Sequence, residues 1–144
     1  MKSVLFVDDE PRLLDGLKRL LRPQRTEWEM LFAGSGEEAL SVMERQQVDI
    51  LVTDMRMPEM DGIEATRQIR QIQPDAKIIA LTSYDGDQDI YKAIEAGVRG
   101  YILKEMVHTK VIDAIRTVHD GKRLMPQEVA ERLSALADGH RVEH

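Results

Sequence analysis

The sequence predicts a doubly wound α/β domain, in which helices cover both faces of a five-stranded parallel sheet. Short apolar runs alternate along the chain with longer amphipathic segments. The runs are continuously apolar, which is typical of strands buried on both faces. Their alternation with helices implies right-handed crossovers between parallel strands.

The predicted strands are apolar runs that end in polar residues. They are 3–8 (SVLFVD), 29–33 (EMLFA), 49–54 (DILVTD), 77–83 (KIIALTS) and 100–104 (GYILK). Each run has the length of an ordinary strand and is shorter than a typical helix.

Five helices are predicted after these strands from apolar stripes at helical spacing. The stripes are Leu13, Leu14, Leu17, Leu20 and Leu21; Ala39, Leu40 and Met43; Ile63, Ile69 and Ile72; Ile90, Ala93 and Ile94; and Val111, Ile112, Ile115 and Val118. Two pairs, Ser35 with Glu38 and Asp61 with Glu64, have the spacing of a capping box. These pairs predict where the second and third helices begin.

The alternation stops after the fifth helix. We predict one domain over residues 1–122 and a C-terminal extension over 123–144, where Pro126 is placed to begin a sixth helix. The apolar stripe of that helix is too short to specify a coiled coil.

Composition limits the class of protein. The chain has 144 residues, of which 42% are hydrophobic and 32% charged, as expected for one globular domain. Zero cysteines exclude disulfides, thiol catalysis and cysteine zinc sites, and we expect a cytoplasmic location. A net charge of −6 without a Lys/Arg cluster argues against direct nucleic-acid binding. Since no run approaches the roughly 20 apolar residues of a membrane span, we expect no membrane insertion.

Polar side chains stand where the predicted strands end. Asp8 and Asp9 end the first strand, Asp54 ends the third, Thr82 lies at the end of the fourth, and Lys104 ends the fifth. Ligands of open parallel sheets bind outside the carboxyl ends of the strands. We therefore expect these five residues to converge on one edge of the sheet.

Three carboxylates at one edge predict a metal site with phosphoryl-transfer chemistry. Their repulsion is relieved by a hard divalent cation, Mg²⁺ or Mn²⁺. Phosphate oxygens suit the remaining coordination positions, and Lys104 and the Thr82 hydroxyl can bind the same oxygens. A carboxylate beside the metal can attack phosphorus to give an aspartyl-phosphate, through positioning and charge neutralisation.

Four segments together resemble the receiver domain of bacterial two-component response regulators: VDDE (7–10), VTDMRMPEMDG (52–62), LTS (81–83) and YILK (101–104). The resemblance spans about residues 2–120. It implies a flavodoxin-like sheet of strand order 2-1-3-4-5 and assigns 1–122 as the receiver domain. It also implies a signalling protein that is not an enzyme beyond self-catalysed phosphoryl transfer and autodephosphorylation.

The resemblance assigns roles at the acidic edge. It implies that Asp54 is the phosphoacceptor and that Asp9 is a direct metal ligand, with Asp8 acting mainly through a metal-bound water. The third protein ligand would be the backbone carbonyl of Arg56. We interpret Glu10 as a spare acid that favours the first turn of the first helix through its dipole.

The resemblance also implies a switch. Thr82 and Lys104 would each bind a phosphoryl oxygen, and Tyr101 matches the aromatic residue that turns inward when Thr82 moves toward phosphate. Many receivers have Pro where Glu105 follows Lys104, often after a cis bond. A cis bond before a residue other than Pro costs about 2.5–4 kcal/mol, so the isomer here stays open.

The expected function is a signalling switch. Asp54 would take a phosphoryl group from a sensor histidine kinase or a histidine phosphotransfer protein. The modified surface would then be read by an output domain or protein, and a phosphorylation-driven homodimer is a family-level expectation. One alternative is a regulatory fragment of a longer DNA-binding or enzymatic response regulator. The other is a Mg²⁺-dependent aspartyl-phosphate phosphatase, which would need a second Asp where Arg56 stands.

Overall fold

The sheet has five parallel strands in the order β2-β1-β3-β4-β5. The computed structural model describes residues 2–54, 62–82 and 97–124. Within them the strands are β1 (Lys2–Val7), β2 (Trp28–Ala33), β3 (Ile50–Asp54), β4 (Lys77–Thr82) and β5 (Gly100–Leu103). The prediction of a doubly wound sheet with this strand order is confirmed, and the strands lie within one residue of the predicted runs.

Four α-helices lie among the described residues. They are α1 (Pro11–Leu21), α2 (Gly36–Arg45), α3 (Gly62–Ile72) and α4 (Val107–His119). A short 3₁₀ helix, Arg22–Thr26, follows α1, and another, Lys104–Met106, precedes α4. The helix predicted around Ile90 and the sixth helix predicted from Pro126 lie outside the described residues. None of the described helices is long and apolar enough to cross a membrane.

Local sequence signals set the starts of α1 and α2. Pro11 is at the first turn of α1, where its missing N–H removes no helical hydrogen bond. Ser35 is the N-cap of α2, and its Oγ accepts a hydrogen bond from the backbone N of Glu38 at 3.1 Å. The Glu38 carboxylate accepts from the backbone N of Gly34 at 3.1 Å. The predicted capping interaction at Ser35 is therefore present, whereas Asp61 of the second pair lies outside the described residues.

The helices bury two apolar clusters, one on each face of the sheet. On one face, Leu5 and Val7 of β1 belong to a cluster with residues of α2 and α3, among them Met43 and Ile69. On the other face, β1 contributes Val4 and Phe6 to a cluster with α1 and α4, whose buried members include Leu14, Leu17, Leu21, Val111, Ile115 and Val118. Alternate strand residues thus point to opposite faces, and both faces are covered.

One stripe residue departs from its predicted position. Ile72 was expected on the buried stripe of α3, but it lies at the last residue of that helix and is 39% exposed. Ile69 and Ala65, about one and two turns earlier, are buried. Helical spacing predicts the direction in which a side chain points, whereas burial also requires a neighbouring element at that height.

The chain beyond α4 returns to the edge of the sheet. Leu124 forms a parallel bridge with Gly100, its backbone N donates to the carbonyl of Arg99 at 3.1 Å, and its carbonyl accepts from the N of Tyr101 at 2.9 Å. These bonds satisfy backbone groups of the β5 edge. The predicted boundary at residue 122 stays a prediction, and Leu124 contacts the domain two residues after it.

Gly100 permits the close approach of α4 to β5. We expect Gly100→Ala to lower the free energy of unfolding by about 1–3 kcal/mol through overpacking, because the new Cβ would lie 3.0 Å from Val118 and 3.1 Å from Ile79. Urea denaturation followed by circular dichroism measures this. Gly34→Ala is the control, since its Cβ would meet Glu38 at an ordinary 3.7 Å. Equal losses in both variants would contradict the packing argument.

Candidate functional site

The strand register places the predicted site residues at one edge of the sheet. Val7 pairs with Thr53, so the next residues, Asp8 and Asp54, stand side by side past β1 and at the end of β3. Asp54 pairs with Leu81 of β4, so Thr82 lies one residue further toward the same edge. This edge is the carboxyl end of the sheet, where open α/β folds bind their ligands.

The three predicted metal ligands come together there. Asp8, Asp9 and Asp54 each have a carboxylate oxygen within 4.8 Å of the others. Asp8 is 1% exposed and Asp54 3% exposed, whereas Asp9 faces solvent. The edge therefore combines two buried carboxylates with one that is accessible from outside.

Lys104 reaches into this group from the end of β5. Its Nζ lies 2.9 Å from Asp54 Oδ2 and 3.1 Å from Asp8 Oδ2. The Lys104 side chain is 15% exposed, so water screens these ion pairs much less than it screens surface pairs. The structure thus joins Lys104 to both buried acids, as the predicted convergence requires.

Backbone groups hold Asp8 in place. The N–H of Asp8 donates to the carbonyl of Ala33 at 3.1 Å, which extends the β1–β2 pairing by one residue. Asp8 Oδ1 accepts from the backbone N of Glu10 at 2.9 Å. This carboxylate is therefore oriented by the chain itself before any ligand binds.

The pKa values of Asp8 and Lys104 are both raised by their surroundings at this site. Burial raises the pKa of Asp8 from 3.8 to about 6, and the charge of Asp54 adds to that effect, against the lowering by the Glu10 N–H and by Lys104. For Lys104, burial disfavours the ammonium, but the carboxylates of Asp54 and Asp8 outweigh it and raise the pKa. The acids are thus crowded enough to repel each other, and Lys104 compensates them in part.

The donor set fits a hard divalent cation. Its ligand atoms are carboxylate oxygens on three residues, the chemistry that Mg²⁺ and Mn²⁺ prefer. Asp8 Oδ2 is buried and accepts no hydrogen bond from a described residue; its contact with Lys104 is an ion pair without hydrogen-bond geometry. That oxygen retains lone pairs for a cation or for a water bound to one. Arg56, whose carbonyl was predicted as a further ligand, lies outside the described residues.

The predicted switch residues occupy neighbouring strands. Thr82 is the last residue of β4 and is buried at the acidic edge. Tyr101 is 1% exposed, pairs in register with Ala80, and belongs to the apolar cluster that contains α2 and α3. The Lys104–Glu105 peptide is trans, which decides the isomer that the sequence left open.

Glu10 belongs to the site although sequence reasoning left it as a spare acid. Its Oε1 lies 3.2 Å from Lys104 Nζ, so the ammonium contacts three carboxylates. The signal available in the sequence was the run of three consecutive acids, Asp8 to Glu10, at a strand end. The run does not reveal which acid faces which partner, because Glu10 and Lys104 are 94 positions apart.

Comparison with known proteins identifies the class. The model of the response regulator receiver domain family matches residues 4–116, and the chain belongs to this family. Receiver domains are in general signalling domains without enzymatic activity, and phosphorylation of an aspartate is their general mechanism. The predicted family is therefore confirmed.

Individual relatives agree with the family match. The chain is 36% identical over 132 residues to the response regulator protein VraR of Staphylococcus aureus (strain Mu3 / ATCC 700698), which covers 91% of this chain and 63% of VraR. A two-component response regulator of the LuxR family from Aurantimonas sp. SI85-9A1 superposes with a TM-score of 0.83 at 31% identity, covering 94% of this chain and 96% of that one. A CheY-like receiver domain from Methanospirillum hungatei JF-1 gives a TM-score of 0.77 at 26% identity, covering 84% and 95%. The chain thus spans less than two thirds of the length of VraR.

The raised pKa of Asp8 predicts a pH-dependent stability. Above about pH 6 the carboxylate is charged in both the folded and the unfolded state, and burial makes that charge unfavourable when folded. As the pH falls from 6 toward 3.8 the folded protein takes up a proton that the unfolded chain does not, so this unfavourable contribution disappears.

We therefore expect Asp8→Asn to be more stable than the wild type above pH 6 in metal-free buffer, by up to roughly 3 kcal/mol. The difference should shrink as the pH falls toward about 4, by the same linkage. Urea unfolding of both proteins with EDTA, at several pH values, measures it. A stability difference between Asp8→Asn and the wild type that grows as the pH falls would contradict the upward direction of the Asp8 pKa shift.

Proposed function

We propose that this receiver accepts a phosphoryl group on Asp54 from the phosphohistidine of a sensor histidine kinase or a histidine phosphotransfer protein. The observation that carries the proposal is the contact of Lys104 Nζ with Asp54 at 2.9 Å and with Asp8 at 3.1 Å. Asp54 is a buried carboxylate that is already paired with the Lys104 ammonium and lies beside Asp8 and Asp9. Such an environment suits a phosphoryl acceptor.

The transfer is self-catalysed in this proposal. A carboxylate oxygen of Asp54 attacks phosphorus, and the bond from phosphorus to the imidazole nitrogen breaks with its electron pair going to the imidazole. Lys104 needs only a small movement to bind an oxygen on the incoming phosphoryl group, and the Thr82 hydroxyl donates to another. Attack of water on phosphorus later returns the Asp54 carboxylate and releases inorganic phosphate.

Asp8, Asp9 and Asp54, with the backbone carbonyl of Arg56, would hold Mg²⁺ or Mn²⁺. When bound, the cation supplies charge neutralisation for the phosphoryl oxygens. Asp9 is the exposed member of the group and is thus the acid most accessible to a cation that arrives from solvent. Asp8, held by the N–H of Glu10, keeps its carboxylate oriented toward the same point.

Phosphorylation would change the surface that partners read. The added charge draws Thr82 and Lys104 toward Asp54, and the buried Tyr101 follows Thr82 in a shift between two conformations. The output partner is a protein or an output domain. Since the chain spans 63% of the length of VraR, the alternative that these residues regulate a longer response regulator also belongs to the proposal.

Metal binding can be tested without phosphorylation. We expect the wild type to bind Mg²⁺ and Mn²⁺ in isothermal titration calorimetry, and Asp9→Asn to weaken binding by roughly tenfold or more, since even second-shell changes cost about 10- to 100-fold. Asp9 is exposed, so the variant should keep its fold. Asp15→Asn, which changes an exposed acid in α1, should bind as the wild type does. Absence of binding by the wild type would reject the metal site.

Phosphorylation of Asp54 can be tested by intact mass. After incubation with acetyl phosphate and Mg²⁺, we expect a single phosphate adduct on the wild type and on Asp15→Asn, and none on Asp54→Asn. EDTA should prevent the adduct. A full adduct on Asp54→Asn would place the acceptor elsewhere.

A further inference from the structure

Glu10 stands at the start of α1, but its side chain does not cap the helix. It is the N-cap of α1, with φ −96° and ψ 107°, and its carbonyl accepts from the backbone N of Leu13 at 3.2 Å and of Leu14 at 3.3 Å. Its side chain makes no capping hydrogen bond, although α1 has no acid in its first turn. An N-cap carboxylate would ordinarily turn toward the free N–H groups of the helix.

The Glu10 carboxylate turns instead toward the ammonium group of Lys104. Glu10 Oε1 lies 3.2 Å from Lys104 Nζ, and the Glu10 side chain is 63% exposed. The other two partners of the ammonium, Asp8 and Asp54, are buried. Lys104 therefore lies between an inner pair of acids and a single outer acid, and its three N–H donors match three carboxylates.

This arrangement makes a divalent cation and the ammonium competitors. Both are attracted by Asp8 and Asp54, and each repels the other at short range. A cation that enters the acid group is bound more readily when Lys104 has another anion to which it can shift. Glu10 provides that anion on the solvent side, without being one of the three acids that converge as metal ligands.

We propose that Glu10 is a positioning residue that offers Lys104 a carboxylate on the outer side of the acid group, toward which the ammonium shifts when a divalent cation enters, and that it thereby favours cation binding by Asp8, Asp9 and Asp54. The inference rests on the proposed metal site and adds a residue that acts on it through Lys104. Without the Glu10 carboxylate, the two inner acids would be the remaining carboxylate partners of Lys104 among these three, and the ammonium would compete more strongly with the cation.

The charge of Glu10 also attracts a cation through space, so the test has to separate contact from charge. Glu10→Asp retains the charge but is one methylene shorter, and an Asp side chain at an N-cap bonds the helix N–H groups well. We expect Glu10→Asp to weaken Mg²⁺ binding by roughly two- to fivefold, the range of an exposed ion pair. Glu10→Gln should weaken it at least as much.

A double-mutant cycle with Lys104→Met supplies the second measurement. In that background the contact is already absent, so Glu10→Asp should leave the Mg²⁺ dissociation constant unchanged. Glu105→Gln is the matched control, because Glu105 is exposed, adjoins Lys104 in the chain and makes no ion pair with a described residue. Its effect on Mg²⁺ binding should be the same with and without Lys104.

The outcomes separate this proposal from the metal site itself. Weaker binding by Glu10→Asp only when Lys104 is present supports the positioning role. Equal affinities of Glu10→Asp and the wild type, or the same loss in both backgrounds, overturn it and leave the metal site intact. No Mg²⁺ binding by the wild type overturns both. Thermal unfolding in EDTA checks that the variants are folded, and Glu10→Asp should be as stable as the wild type or more so.

Discussion

Repulsion between the buried carboxylates of Asp8 and Asp54 is the constraint on which the rest of the structure depends. Two acids that are almost inaccessible to water repel each other strongly, because a protein interior screens charge poorly. The raised pKa of Asp8 reflects its burial in the first place, and the repulsion by Asp54 adds to that effect. Lys104, which directly follows the edge strand β5 and is 96 positions along the chain from Asp8, offsets this repulsion. One ammonium thereby links the first and last strands of the domain.

The sheet explains why the acids meet at all. Parallel strands end at a common edge, and β1 and β3 are direct neighbours in the order β2-β1-β3-β4-β5. Their register brings Asp8 beside Asp54, and the next two strands bring Thr82 and then Lys104. Helices on both faces keep water from the strands up to this edge, so the repulsion is not dissipated by solvent. A fold that covered one face only would leave the acids more hydrated and less in need of a cation.

The Lys104 ammonium has both a structural and a functional role. In the structure it stabilises two buried acids, and in the proposed reaction it binds an oxygen of the phosphoryl group. Both roles depend on the same positive charge. A change in the charge around Asp54 therefore either moves Lys104 or weakens its contacts. Such competition is a physical basis for two conformations of similar free energy, which a signalling domain requires. Glu10 adds an outer contact to this balance.

The sequence by itself determined the features that depend on near neighbours in the chain. Continuous apolar runs predicted the five strands within one residue, helical stripes predicted α1 to α4, and Ser35 predicted the start of α2. The convergence of Asp8, Asp9 and Asp54 also followed, since parallel strands end at one edge and the strand order implied by the resemblance makes the first and third strands neighbours. The tertiary structure alone decided where long side chains go. The Gln73 side chain donates to the carbonyls of Met43 and Gln46, 30 and 27 positions away. Ile72 is exposed despite its stripe. The Glu10 carboxylate contacts Lys104 and does not cap its own helix. Periodicity and capping rules describe interactions over a few residues, whereas these contacts depend on which distant element is packed alongside.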